Sequence, residues 1–88
     1  MSNATHLLAD GTTTVVKPKD GNGFTLKEAQ AYVGGYVQIV PTIPDIGCIL
    51  LVNEEGALLG LPFNEVASKV AGQSIVGDAL YCPANMFT

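Results

Sequence analysis

Arginine and tryptophan are absent from this chain of 88 residues, histidine occurs once, and only 14% of residues are charged. That charged share is roughly half the usual value of about 25%. The cations are Lys17, Lys19, Lys27 and Lys69, set against eight acids for a net charge of −4. Nucleic-acid binding needs a basic surface onto which phosphates shed counterions, and four lysines cannot assemble one. With His6 alone, and with Cys48 and Cys82 far apart and outside any C-x-x-C, the donors for a structural metal site are lacking. No D-x-D-x-D-G calcium loop occurs. Ser2, Ser68 and Ser74 have no G-x-S-x-G setting, so a nucleophile elbow is missing as well. The longest apolar run, residues 48–52, is far too short to span a bilayer. The N-terminus shows neither the charged nor the apolar region of a signal peptide, which makes the cytosol the expected address.

What the chain has instead is grease, with 48% of residues hydrophobic. The length fits one small domain over residues 1–88, with its core at about residues 5–82. A domain this size has much surface and here few charges to cover it. Part of its apolar surface is therefore expected against a partner, most simply a second copy in a homo-oligomer. Cys48 and Cys82 lie in apolar runs, where a free thiol acts as a small core residue, with a disulfide or a reactive thiol as alternatives.

Residues 25–40 organise the rest. Thr25 and Glu28 form a capping box, and Leu26, Ala29, Tyr32 and Val33 then share one helical face. Gly34-Gly35 stops the helix, and the β-branched run that follows suits a strand. Before it, residues 5–9 and 12–16 are short β-prone runs around Asp10-Gly11, a two-residue hairpin signal. Phe24 stands where a hydrophobic staple would sit. A loop over residues 20–23 and a two-proline connector over residues 41–47 punctuate the chain. The continuous apolar run 48–52 fits a central strand buried on both faces. Residues 57–61 suggest a further short strand, Asn64 caps a second helix over about residues 65–71, and residues 75–82 form a last strand. The tail from Pro83 is expected to be extended. The predicted fold class is α+β: a mostly antiparallel sheet of five or six short strands with both helices on one face, in the order β-β-α-β-β-(β)-α-β.

No catalytic constellation emerges, no cofactor is implied, and the chain does not read as an enzyme. His6 reads as a surface residue, and Asp45, Glu54 and Glu55 as solvated loop carboxylates. The binding candidates are Gly34, Gly35, Tyr36, Asn53, Glu54, Asn64 and Asp78. Gly34-Gly35 could offer an anion nest beside Tyr36 as a stacking platform, but a plain helix stop is the simpler account of the glycines. Asn53, Asn64 and Asp78 interrupt apolar runs, where a groove would need polar groups, but they also suit a turn, a cap and an edge strand.

Four blocks carry a resemblance. They are D-G-T-T-x-x-V-x-P-K over residues 10–19, F-T-L-K-E-A-Q-x-x-V-G-G-Y-V over 24–37, V-N-E-E-G-x-L-x-G-L-P-x-N over 52–64 and I-V-G-D-A-L over 75–80. Together they resemble a small domain-of-unknown-function family of bacteriophages, other large DNA viruses and plasmids. Gln38 stands where members often carry Glu, and the proline-rich connector is longer. The resemblance implies an accessory protein in the host cytoplasm and brings no catalytic residue with it. By analogy with small phage proteins, the expected function is a non-enzymatic sponge for a nucleotide-derived immune signal. An interaction module that blocks a host or phage protein is the alternative. A hydrolase using Glu54 or Glu55 with Asp78 or His6 is a third reading.

Overall fold

The computed structural model describes residues 4–19, 23–42 and 47–87. Asp45, most of the loop over 20–23 and most of the connector over 41–47 lie outside the described residues. The elements are β1 (Ala4–Leu7), β2 (Thr13–Val16), α1 (Leu26–Val33), β3 (Val37–Pro41), β4 (Cys48–Asn53), α2 (Glu65–Ala71) and β5 (Ala79–Pro83). The strands form one sheet in the order β2-β1-β5-β4-β3, and every neighbouring pair is antiparallel. The fold is α+β, in the order β-β-α-β-β-α-β. Because β2 and β3 are the two outer strands, the connection between them has to cross the whole sheet, and α1 makes that crossing.

The two helices cover opposite faces, not the single shared face that the sequence suggested. Side chains alternate across a strand. Leu50 and Val52 of β4, with Ala79 of β5, pack in one layer with Ala67, Ala71 and Ile75. Leu51, Leu80 and Cys82 point the other way, into a layer with Phe24, Ala29 and Val33. The physical reason lies in β4 itself. Its residues are apolar at both parities, with Leu50 and Leu51 each fully buried, so a cover on one side only would leave half of them in water.

Other boundaries also move. Residues 57–61 are turns closed by Leu59 N–H to Glu55 carbonyl and Leu61 N–H to Gly56 carbonyl, so the optional strand is absent and the sheet has five strands. The Asp10-Gly11 connection is not a two-residue hairpin. Gly11 N–H donates to the Leu8 carbonyl, Leu8 N–H to the Thr12 carbonyl, and Asp10 Oδ1 accepts from Thr12 N–H. Only Gly11 has positive φ, which makes this a type I turn followed by a glycine bulge. Past Pro83 the chain forms a short 3₁₀ turn, Ala84–Met86, and Phe87 bridges to Phe24. The strand expected over 75–82 is confined to Ala79–Pro83.

The caps follow the sequence closely. Thr25 Oγ1 accepts from Glu28 N–H at 3.1 Å, and Glu28 Oε1 accepts from Thr25 N–H at 3.0 Å. Phe24 is fully buried in the same layer as Ala29, as a staple requires. Leu26, by contrast, is 53% exposed and leaves the stripe to Ala29, Tyr32 and Val33. Asn64 does more than cap α2. Its Oδ1 accepts from Ala67 N–H at 3.0 Å while its Nδ2 donates to the carbonyls of Leu7 at 2.9 Å and Gly77 at 2.8 Å. Fully buried, it ties α2 to β1 and to the segment that leads into β5.

Asn64→Ala removes the cap and strands two buried carbonyls, so it is expected to cost about 3 kcal/mol in urea denaturation. Asn64→Asp keeps the cap but loses both donations, and its loss should approach that of alanine.

Glu28 is held below the ordinary glutamate range because Thr25 N–H, and then Lys19 N–H, donate to its carboxylate. A depressed acid stabilises the fold above its unfolded pKa and loses that contribution as pH falls through the folded value. Stability should therefore drop below about pH 4.3, and Glu28→Gln should flatten that limb of the pH–stability curve.

Candidate functional site

All seven residues singled out from the sequence fall at one end of the sheet. That end gathers the exits of β1 and β4 and the entries of β3 and β5. Gly34, Gly35 and Tyr36 precede β3, and Asn53-Glu54 closes β4, with Glu54 N–H donating to the Tyr36 carbonyl at 2.8 Å. Asn64 and Asp78 sit apart from these, beside β1 and β5. Asp78 Oδ1 accepts from Ala9 N–H at 2.9 Å and so braces the exit of β1.

The C-terminus of α1 is held by groups from three directions. Gly34 and Gly35 N–H both donate to the Gln30 carbonyl, at 2.8 and 3.2 Å. His6 Nε2 on β1 donates to the Tyr32 carbonyl at 3.0 Å, and Asn53 Nδ2 on β4 donates to the Val33 carbonyl at 3.2 Å. These bonds satisfy carbonyls that a helix end leaves without intrahelical partners.

Three expectations change as a result. The Gly34-Gly35 nest is unavailable to an anion, because both N–H groups are already spent inside the molecule. A helix C-terminus is also the negative end of its dipole. His6 is not a free surface residue: half-buried, it meets the Tyr32 ring edge-on with centroids 4.9 Å apart. Asn53 and Asn64 are buried with their hydrogen bonds made internally, as turn and cap residues. Asn53 also explains the second glycine, since a Cβ on Gly35 would stand 2.9 Å from Asn53 Nδ2.

What remains open at this end is a groove of about 420 Å³ between α1 and the turn after β4. Lys27, Gln30 and Ala31 of α1 form one wall, Gly34, Gly35 and Tyr36 the floor, and Glu55 and Leu59 the other wall. Tyr36 is 65% exposed, and Leu58 and Leu59 stand out beside it at 87% and 59%. Sequence reasoning missed Lys27, Gln30 and Leu59. Lys27 and Gln30 carried one detectable signal: they lie off the apolar stripe of α1, on the face it turns away from the sheet.

A second groove of about 510 Å³ flanks the start of α1 and is lined by Lys19, Thr25, Lys27, Glu28 and Tyr32. The Glu28 carboxylate already occupies the helix N-terminus there. A polar depression of about 170 Å³ on the α2 face takes in Gln38, Asn53, Glu54 and Ser74. Among the described residues, no three His, Cys, Asp or Glu side chains gather as a metal site, and no helix is long and apolar enough to cross a membrane.

The thiols are free, Cys82 buried and Cys48 half-buried. They are diagonal neighbours, since Cys48 pairs with Pro83 and Ile49 with Cys82. Cys82 points into the α1 layer and Cys48 to the opposite face, which keeps the two sulfurs from bonding. Burial, with a smaller contribution from Cys48, pushes the Cys82 thiol up to about 11.

The matching family model spans residues 5–86 and is described as a domain of unknown function (DUF3846). The chain belongs to that family. No protein of curated function and no solved structure matches the chain.

At pH 8 an aromatic disulfide reagent should label Cys48 in the native protein and Cys82 only after denaturation. Two fast-reacting native thiols would contradict the burial described. A thiol raised in the folded state stabilises below its unfolded value and loses that contribution as pH rises. Cys82 should therefore erode stability from about pH 8.5 up to its folded value of about 11.

Proposed function

We propose that the chain is a non-enzymatic binding protein, encoded by a phage or other mobile element and acting in the host cytoplasm. It sequesters a small nucleotide-derived immune signal in a pocket that a second copy completes. The observation that carries this reading is the open groove around Tyr36. Tyr36 presents a ring on which a base can stack. Lys27 supplies the one charge there that suits a phosphate, while Gln30 and Glu55 suit a base edge and ribose hydroxyls. Phosphate contact thus moves from the Gly34-Gly35 backbone to the Lys27 ammonium. The groove is half a site, open along one side and flanked by Leu58 and Leu59, which is the kind of surface that a second subunit covers.

A second reading rests on a different feature. Strand β2 is an uncovered edge, with Thr13, Thr14 and Val15 all exposed. An exposed edge can accept a strand from another protein, so the chain would instead block a host or phage protein.

Titration calorimetry against cyclic and ADP-ribose-type nucleotides separates the two. Sequestration predicts tight binding of at least one class and recovery of the intact ligand on denaturation. Tyr36→Ala and Lys27→Ala should each weaken binding about tenfold or more, the scale of a lost stacking or phosphate contact. Silence across the panel would remove the sponge reading.

A further inference from the structure

We propose that β3 is the surface through which two copies of this chain associate, joining their sheets edge to edge about a two-fold axis at Ile39. This extends the reading above, in which a second copy completes the pocket, but it needs no ligand.

Hydrogen-bond phase comes first. Tyr36 and Glu54 lie directly opposite in the β3–β4 register, and Glu54 N–H donates to the Tyr36 carbonyl. In an antiparallel pair, bonded and non-bonded positions alternate. Gln38 and Val40 therefore bond inward to β4, and the polar backbone groups of Val37, Ile39 and Pro41 point away from the sheet. Proline falls where its missing N–H costs the ladder nothing. Val37 and Ile39 each turn an N–H and a carbonyl outward along an edge against which, among the described residues, no further strand pairs.

Charge then selects the occupant. Val37–Pro41 reads VQIVP, with no ionised side chain. The other edge, β2, runs directly into Lys17, Pro18 and Lys19, the residue types that blunt an edge against pairing. Each chain carries a net charge of −4, so two copies repel except where their contact is neutral. Neither edge strand carries an ionised side chain itself, but among the described residues β3 is the edge with no charge immediately beside it in the chain.

Two-fold pairing at Ile39 is also self-complementary. Each Ile39 donates to and accepts from its twin, and each Val37 N–H reaches the Pro41 carbonyl across the axis. The Ile39 side chains, 53% exposed in one copy, meet on the α1 face of the joined sheet. Both copies of α1 then lie on the same side.

Analytical ultracentrifugation from 5 to about 500 μM, with no ligand added, should show a reversible dimer whose constant lies in the micromolar range, as suits a small edge contact. Ile39→Lys sets lysine against lysine and should give a monomer with unchanged circular dichroism. Mixing it with Ile39→Asp should restore association, now as a heterodimer. Val15→Lys, on the other edge, should dimerise like the parent chain. A parent chain that stays monomeric throughout, or an Ile39→Lys protein that still dimerises, would overturn the proposal. So would loss of the dimer in Val15→Lys. A dimer that takes up no nucleotide would remove the ligand reading and leave this one standing.

Discussion

Burial of β4 on both faces is the constraint from which the rest of this structure follows. Leu50 and Leu51 are consecutive, point in opposite directions, and are both fully buried. One helix cannot shield both, so α1 and α2 are divided between the two faces. Alanine makes the close approach possible. Ala29 and Ala67 on the helices, and Ala79 on β5, are all fully buried and add little bulk between helix and strand. Each helix is short, eight residues in α1 and seven in α2. Neither is long enough to be stable alone in water, so packing on the sheet and the caps must hold them.

Three layers in so small a chain leave the periphery thin. A helix of eight residues spans roughly 12 Å, less than the width of the sheet it crosses. The outer strands therefore keep exposed residues such as Val15 and Ile39, and the turn after β4 holds Leu58 and Leu59 in water. The excess of apolar side chains noted in the composition is thus partly an excess at the margins. Shortage of charge and shortage of helix are the same problem seen at two levels.

Much of this was legible wherever local chemistry decides the outcome. The capping box, the Gly34 stop and the Asn64 cap are short-range matters, and the sequence pattern locates both helices from them. The two-faced apolar run of β4 is legible too, but the helix on each side is a tertiary consequence that the run does not spell out by itself. Residues 57–61 were misread because an apolar run looks alike whether it is extended or coiled into turns. The turns depend on Gly56, whose closeness to Val76 is a tertiary fact: a Cβ there would lie 2.9 Å from Val76 Cγ2. His6 was misread for the same reason, since its partner is a carbonyl 26 residues away.

The candidate site shows a sharper limit. A polar residue inside an apolar run attracts notice because it defies burial, and Asn53, Asn64 and Asp78 were chosen on that ground. Defying burial is also what a structural polar group must do, and all three carry hydrogen bonds between elements. Their amides and carboxylate are spent on holding the fold. Residues free to meet a ligand are those that packing does not use, and the only trace that Lys27 and Gln30 leave is negative, their place off the apolar stripe of α1. Tyr36 is the exception that reasoning from sequence could reach. It is a large ring that the strand pattern cannot bury, placed immediately after a glycine pair already committed to ending α1. A protein whose internal polar groups are saturated in this way has only exposed side chains left to turn outward, and at this end of the sheet they gather around that ring.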